Sequence, residues 1–417
     1  MEKGKKVDLG ERNVSDAGKK YFHEVWRADL KYFDIEYKRY ESAQFDHYAE
    51  VVRRFASEGR TVVSFADAYY DLWNELQYVY TMMTLAELEV MADPEDEELS
   101  FEYLYTAETY DLLYERYWEI MHEVAVSPYS DVMKEIFHES YIEWFKEYVP
   151  YTNEEWELLA YTEEKQLTRE YYDLLKEEEP DEGRIGEIFV ELVNLRKRQA
   201  ELFGYEGYAE YAYGAIYGRD YLPQDTEAVW QGVKEAIVPV YVANREAANL
   251  QAELLQEAEL DCSTEAVLGA LERVLPNVSS DLNYAFEYME KYGLYDIDFD
   301  PKKSNTGYTV RLYYYNQPFV FNAGTDEFYD YLTVIHEFGH FANAFYTESD
   351  LLFGLSDNDI CELQSQGLEV LMTHYYDVIF GEEYAEAARE YLLMDMLVSV
   401  IDGALFDEFS TDCICRR

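Results

Sequence analysis

A mainly helical fold is what this sequence predicts: two helical lobes around a deep cleft, with one small β-sheet or hairpin beside the helix that carries His336 and His340. Three observations predict it. Apolar residues recur at three-to-four spacing through most of the chain, between stops such as Ser57-Glu58-Gly59, Asp93-Pro94 and Ser127-Pro128. A β-branched and aromatic pattern is confined to the stretch around Tyr308–Phe321. A chain of 417 residues that is 48% hydrophobic can bury a core large enough to divide in two.

The elements follow in order. One helix is expected from Ser15-Asp16 through Tyr32, Phe33, Ile35, Tyr37 and Phe45. A second is expected from Val62 to Met91 and a third from Glu98 to Val126, with further helices to Leu175. Glu177-Glu178-Glu179-Pro180-Asp181-Glu182-Gly183 is the strongest punctuation in the chain, and it separates an N-terminal lobe, 1–180, from a second lobe, 181–417. Helical stretches then run to Tyr292-Gly293, with interruptions at Pro239 and Pro276. A loop precedes a strand over Tyr308–Tyr315; Asn316-Gln317-Pro318 reads as a turn, and Phe319-Val320-Phe321 as a second short strand. A helix over 325–346 follows, with Thr325 and Asp326 as N-cap candidates. Ser356-Asp357-Asn358-Asp359 caps another over 360–372, and Glu383 to Phe409 forms a last, long one.

Chemistry concentrates in His336-Glu337-Phe338-Gly339-His340. Residues four apart share a helix face, so the two imidazoles can aim at one point, and the Glu337 carboxylate can reach a water held there. Two neutral nitrogens with a base beside them form the zinc-hydrolase arrangement, and one Zn2+ per chain is expected. The competing reading is a pair of buried histidines hydrogen-bonded to backbone. A third ligand on the same helix, in the pattern His-x-x-Gly-x-x-His, is excluded because Asn343 and Tyr346 stand at those places. Glu362 on the following helix is the expected third ligand, against the plainer reading of a solvated acid. Glu369 lies two turns along on the same face, placed to accept a hydrogen bond from a ligand imidazole. His23, His47, His122 and His138 stand alone and read as structural, as does His374.

His-Glu-Phe-Gly-His followed by Glu362-x-x-Ser365-Gln366-x-x-Glu369 resembles the thimet oligopeptidase and oligoendopeptidase F family of zinc metallopeptidases. The resemblance extends upstream to Asn316–Asn322, to Leu202-Phe203-Gly204-Tyr205 with Tyr208, Ala209 and Tyr211, and to Gly218-Arg219-Asp220-Tyr221. It covers about 190–409 well and the first half loosely. It implies zinc-dependent cleavage of short peptides in a channel of a mostly helical protein, with Glu337 as base and His336, His340 and Glu362 as ligands. It also implies oxyanion-stabilising Tyr and His side chains from a segment beyond Arg417. The last Tyr here is Tyr391 and the last His is His374. Ser410–Arg417 matches no pattern of the family, so the sequence reads as a truncated or frameshifted copy. Either upstream tyrosines supply those donors, or the chain is a catalytically impaired remnant that binds peptide and zinc. A thermolysin-like endopeptidase and a structural zinc scaffold are lesser rivals.

Composition bounds the partners. The 87 acids outnumber the 34 bases, for a net charge of −53. Such a surface repels nucleic acid and anionic lipid, and no apolar run has the length of a membrane span. The charge also suits basic peptides, or a protein adapted to high salt. The N-terminus has lysines but no apolar segment after them, hence no secretory signal. Four scattered cysteines give no disulfide framework and suggest the cytoplasm. The 43 tyrosines need partners for their hydroxyls, either at the tips of packed helices or in a wet cleft.

Overall fold

The computed structural model describes residues 27–59, 61–148, 163–175, 180–347 and 359–415. The expected helix start at Ser15-Asp16, His23, the acidic run at Glu177–Glu179 and the cap at Ser356–Asn358 lie outside them, as do the side chains of Cys413 and Cys415. The protein is mainly helical with one three-stranded sheet. No described helix is long and apolar enough to cross a membrane.

The first four helices are α1 (Ala43–Glu58), α2 (Phe65–Ala92), α3 (Glu97–Ala125) and α4 (Glu139–Glu147). Their ends obey local rules. Gly59, in a left-handed conformation with φ +63°, closes α1. Ser64 accepts from Asp67 N–H at the start of α2, and Asp96 from Glu98 and Leu99 N–H at the start of α3. Phe45, Phe55, Phe65, Trp73, Tyr117, Ile120 and Phe145 form their common core.

Residues 27–41 contradict the first expected helix. Only Tyr32–Asp34 makes a single 3-10 turn. Tertiary contacts override the periodicity: Ala28 N–H donates to Tyr315 O, Gln317 Nε2 donates to Leu30 O, and Tyr32 stacks against Phe319 at 4.1 Å.

Next come α5 (Glu164–Leu175), α6 (Glu182–Leu202), α7 (Tyr208–Tyr211), α8 (Glu227–Gly232), α9 (Val238–Gln256), α10 (Thr264–Val278) and α11 (Ser280–Tyr292). The two prolines mark irregularities rather than breaks: Pro239 follows directly on a π-helical turn, Val233–Ile237, that leads into α9, and Pro276 lies in the last turn of α10, two residues before that helix ends at Val278.

The sheet has the order β1-β3-β2, from β1 (Tyr295–Asp296), β2 (Gly307–Leu312) and β3 (Gln317–Asn322). β3 is central and buried along its whole length, parallel to β1 and antiparallel to β2, with Thr309 opposite Val320. Two sequence expectations shift here. The turn falls on Tyr313–Asn316, with Asn316 at φ +50°, so Gln317 and Pro318 belong to the strand. β1 stands where a loop is expected, because two residues carry no periodicity.

The remaining helices are α12 (Tyr329–Tyr346), α13 (Leu363–Met372), α14 (Tyr376–Ile379) and α15 (Ala385–Cys415). α12 starts four residues later than expected. Thr325 and Asp326 do not cap it; instead their N–H groups donate to the buried carboxylate of Asp330, and Asp326 turns left-handed at φ +57°.

Two compact units result, and they do not follow the sequential division at 180. One comprises Met1–Pro150, Glu259–Ser356 and Ile360–Gly381; the other Tyr151–Ala258, Asp357–Asp359 and Glu382–Arg417. The reason is core burial: Leu312 of β2 packs with Met82 and Leu85 of α2, so strands late in the chain complete a core begun by its first helices. In the second unit, Asp407 of α15 accepts from Tyr213 Oη at 2.7 Å and Trp230 Nε1 at 2.8 Å. Arg219 forks onto Asp359 at 2.6 and 3.0 Å over the Tyr213 ring.

Tyrosine hydroxyls in both units donate to carboxylates: Tyr37 to Glu102, Tyr40 to Glu75, Tyr148 to Glu115 and Tyr213 to Asp407. With so few bases, tyrosine serves as a donor that keeps acids partnered.

Candidate metal centre

The site lies wholly within the first unit, on α12, α13 and β2. Helical spacing sets the imidazoles of His336 and His340 on one face, with ring centroids 4.9 Å apart. Their Nε2 atoms are 3.1 Å from each other, and each is 3.1 Å from Glu362 Oε2. Glu362 is the N-cap residue of α13 rather than a residue within it. Ser365 Oγ donates to Glu362 Oε2 at 2.7 Å and holds that carboxylate in place.

These three atoms form a near-equilateral triangle, and among the described residues they are the group of acidic, His and Cys donors that could hold a metal. A tetrahedral zinc with bonds of about 2.0–2.1 Å has ligand atoms about 3.3 Å apart. Two imidazole nitrogens and a carboxylate oxygen at 3.1 Å therefore fit such an ion in both spacing and chemistry.

Glu369, two turns into α13, places Oε1 2.5 Å from His336 Nδ1. A proton held on Nδ1 leaves Nε2 with its lone pair toward the triangle. Glu337 is buried on the β2 side of α12, with Thr309 Oγ1 donating to its Oε2 at 2.7 Å.

Helix approach makes this geometry possible. A Cβ at Gly339 would lie 2.6 Å from Ser365 Cα and 3.1 Å from Gln364 O, so only glycine lets α13 come this close to α12. Thr309 and Ser365 carry little signal in the sequence: Ser365 stands only as part of a motif, and Thr309 is one hydroxyl in a strand, 28 residues from the carboxylate it meets.

Protonation follows burial and neighbours. Burial raises the Glu337 carboxyl above the usual range, with the Thr309 hydrogen bond opposing it. Burial also works against a charged His336 ring, but the hydrogen bond to Glu369 and three carboxylate charges outweigh it and raise that pKa. At Glu362 burial is outweighed by the Ser365 hydrogen bond and the two imidazoles, which lower its pKa.

Three other described histidines have local partners. His122 Nδ1 lies 2.9 Å from Phe145 O, His138 caps α4, and His374 Nδ1 lies 3.2 Å from Leu371 O.

No family model matches the sequence, and no curated protein matches it in sequence. Solved structures do match. PZ peptidase A with an inhibitor superposes at a TM-score of 0.72 and 19% identity, over 92% of this chain and 77% of that one. A provisional oligoendopeptidase F gives 0.68 and 20%, over 92% and 77%. Another, from Bacillus anthracis strain Ames, gives 0.67 and 18%, over 88% and 77%.

The chain has the oligoendopeptidase fold.

That likeness spans nearly all of the chain, so the helical first half, only loosely matched by motif, is part of the oligoendopeptidase fold as well. At these identities the fold alone is shared; the chemistry is argued from the residues.

Proposed function

We propose that this chain is a zinc-dependent metalloendopeptidase that hydrolyses peptide bonds in short peptides. The observation that carries this is the triangle of His336 Nε2, His340 Nε2 and Glu362 Oε2, whose three side chains all act electrostatically on the buried Glu337 carboxyl. The peptidase names of the structures that share its fold support the substrate class.

His336, His340 and Glu362 would hold one Zn2+. Bound there, zinc would supply Lewis acidity that brings the pKa of a water down toward neutrality. Glu337 would be the base that takes a proton from the attacking water and the acid that returns it to the leaving amine. Burial pushes its pKa above the usual carboxyl range, the direction that favours a group which must both accept and release a proton. Glu369 fixes the tautomer and direction of His336. β2 is an edge strand beside the base, and a peptide laid along it would gain main-chain hydrogen bonds without a demand on sequence. The acidic surface favours cationic peptides over nucleic acid or anionic membrane. Cys262 and Cys361 form no disulfide, which suits a cytoplasmic enzyme.

The test pairs metal analysis with cleavage of an internally quenched fluorescent peptide. One zinc per chain is expected. Glu337→Gln keeps the metal and loses about 100- to 10,000-fold in turnover, the range for a general base. Hydrolysis unchanged by Glu337→Gln ends the proposal. Tight peptide binding with zinc but no product would mark a binding protein instead.

A further inference from the structure

We infer that Thr309 is the positioning residue for the base: it fixes one oxygen of Glu337 and thereby dedicates the other to proton transfer. The inference rests on the peptidase reading above and extends it to a residue outside the zinc motif.

A carboxylate on a two-torsion stem can present either oxygen, and either of two lone pairs, to a water. Proton transfer needs one of them held within hydrogen-bond reach in a fixed direction. Burial narrows the space but does not choose the oxygen. The choice here is made by β2. Thr309 Oγ1 lies 2.7 Å from Glu337 Oε2 and 3.0 Å from Glu337 O. A hydroxyl has a single proton, and the shorter, charge-assisted contact takes it. Among the described residues no hydrogen bond reaches Glu337 Oε1.

The same strand keeps that second oxygen clear. Side chains two apart on a strand share a face, so Gly307 stands on the Thr309 face. A Cβ there would be 3.7 Å from Glu337 Oε1 and 3.0 Å from Thr333 Cγ2. The strand therefore holds Oε2 at one position and leaves room beside Oε1 at the next. The register is rigid, because Thr309 is opposite Val320 of the buried central strand. A plain structural bond between strand and helix would need only the backbone carbonyl of Glu337; the shorter contact is to the carboxylate.

The experiment uses the full chain loaded with zinc, a quenched fluorescent peptide, and the variants Thr309→Val, Thr309→Ala and Thr309→Ser, each also combined with Glu337→Gln. Val and Ala are expected to lower kcat about 10- to 100-fold, the loss typical of a misplaced catalytic group. KM and zinc content stay at wild-type values. Ser, which keeps the hydroxyl, restores most of kcat. On the Glu337→Gln background, Val and Ala add no further loss. Wild-type kcat in the Val and Ala variants overturns the inference, and so does an equal further loss on the Glu337→Gln background. Failure of both to fold while Ser folds assigns Thr309 to structure alone and overturns it too. A wild-type chain that binds zinc and cleaves nothing brings down the peptidase reading itself, a result separate from any behaviour of Thr309.

Discussion

Glu369 shows how much one carboxylate outside the metal triangle decides. Its Oε1 is 2.5 Å from His336 Nδ1 and its side chain is nearly buried. Glu369→Ala frees the ring to rotate and to protonate at either nitrogen. Zinc affinity is expected to fall about 10- to 100-fold, measured by competition with a chelator, with the fold retained. Equal affinity in the variant would show that the bond does not orient the ligand. The raised pKa of His336 sets a pH dependence with two signs. In metal-free protein, the charged ring is stabilised by Glu369 and its neighbours. That stability is fully present below the unfolded value of 6.5 and is lost as pH rises through the higher folded value. Zinc uptake runs the other way, because the ring must lose its proton first. Below the folded pKa, apparent zinc affinity is expected to rise about tenfold per pH unit for this one proton. A flat profile from about pH 5.5 to about 8, across the ordinary histidine range, would contradict it.

At the scale of elements, the contact between α12 and α13 builds the triangle. Gly339→Ala inserts a methyl 2.6 Å from Ser365 Cα, which is backbone and has no rotamer to yield. The helices must separate, at about 1–3 kcal/mol for an overpacked site. Glu362 and Glu369 would move from the imidazoles together. The expected outcome is a lower denaturation midpoint and loss of stoichiometric zinc in the same variant. A protein that loses neither would show that α13 can shift without cost. Arg311 acts at the other end of α12. It is buried on β2, donates to Asn316 Oδ1 at 2.8 Å, and reaches the carbonyls of Ala344 and Thr347. Both carbonyls lie at the C-terminal end of α12, where the helix itself supplies few donors. Arg311→Met should destabilise by about 1–3 kcal/mol through the acceptors it strands, read in the same unfolding assay, with zinc content unchanged.

Over the whole molecule, charge is the dominant feature. A net charge of −53 opposes compaction through self-repulsion, and tyrosine donors relieve it at individual carboxylates but add no positive charge. Raising salt from about 0.1 M to 1 M shortens the screening length from about 10 Å to 3 Å. The thermal midpoint should therefore rise with added KCl, each kcal/mol of relieved repulsion giving about 2–4 °C for a domain of 150–250 residues. A midpoint indifferent to salt would mean that the acids are already compensated in the native state.

The sequence by itself determined the local parts. Stops at Gly59 and Asp93, the helical class, and the two imidazoles on one face depend on residues within a turn of one another. Helix and strand periods write such relations into the order of residues. Tertiary structure decided what periodicity cannot encode. It drew residues 27–41 out of a helix and onto the sheet, made a strand of Tyr295-Asp296, and placed Pro276 inside a helix. It brought Thr309 to Glu337 and the N-cap Glu362 to His336. Each of these rests on contacts between segments far apart in the chain, whose energy comes from burial and from partners that exist only once the core has closed.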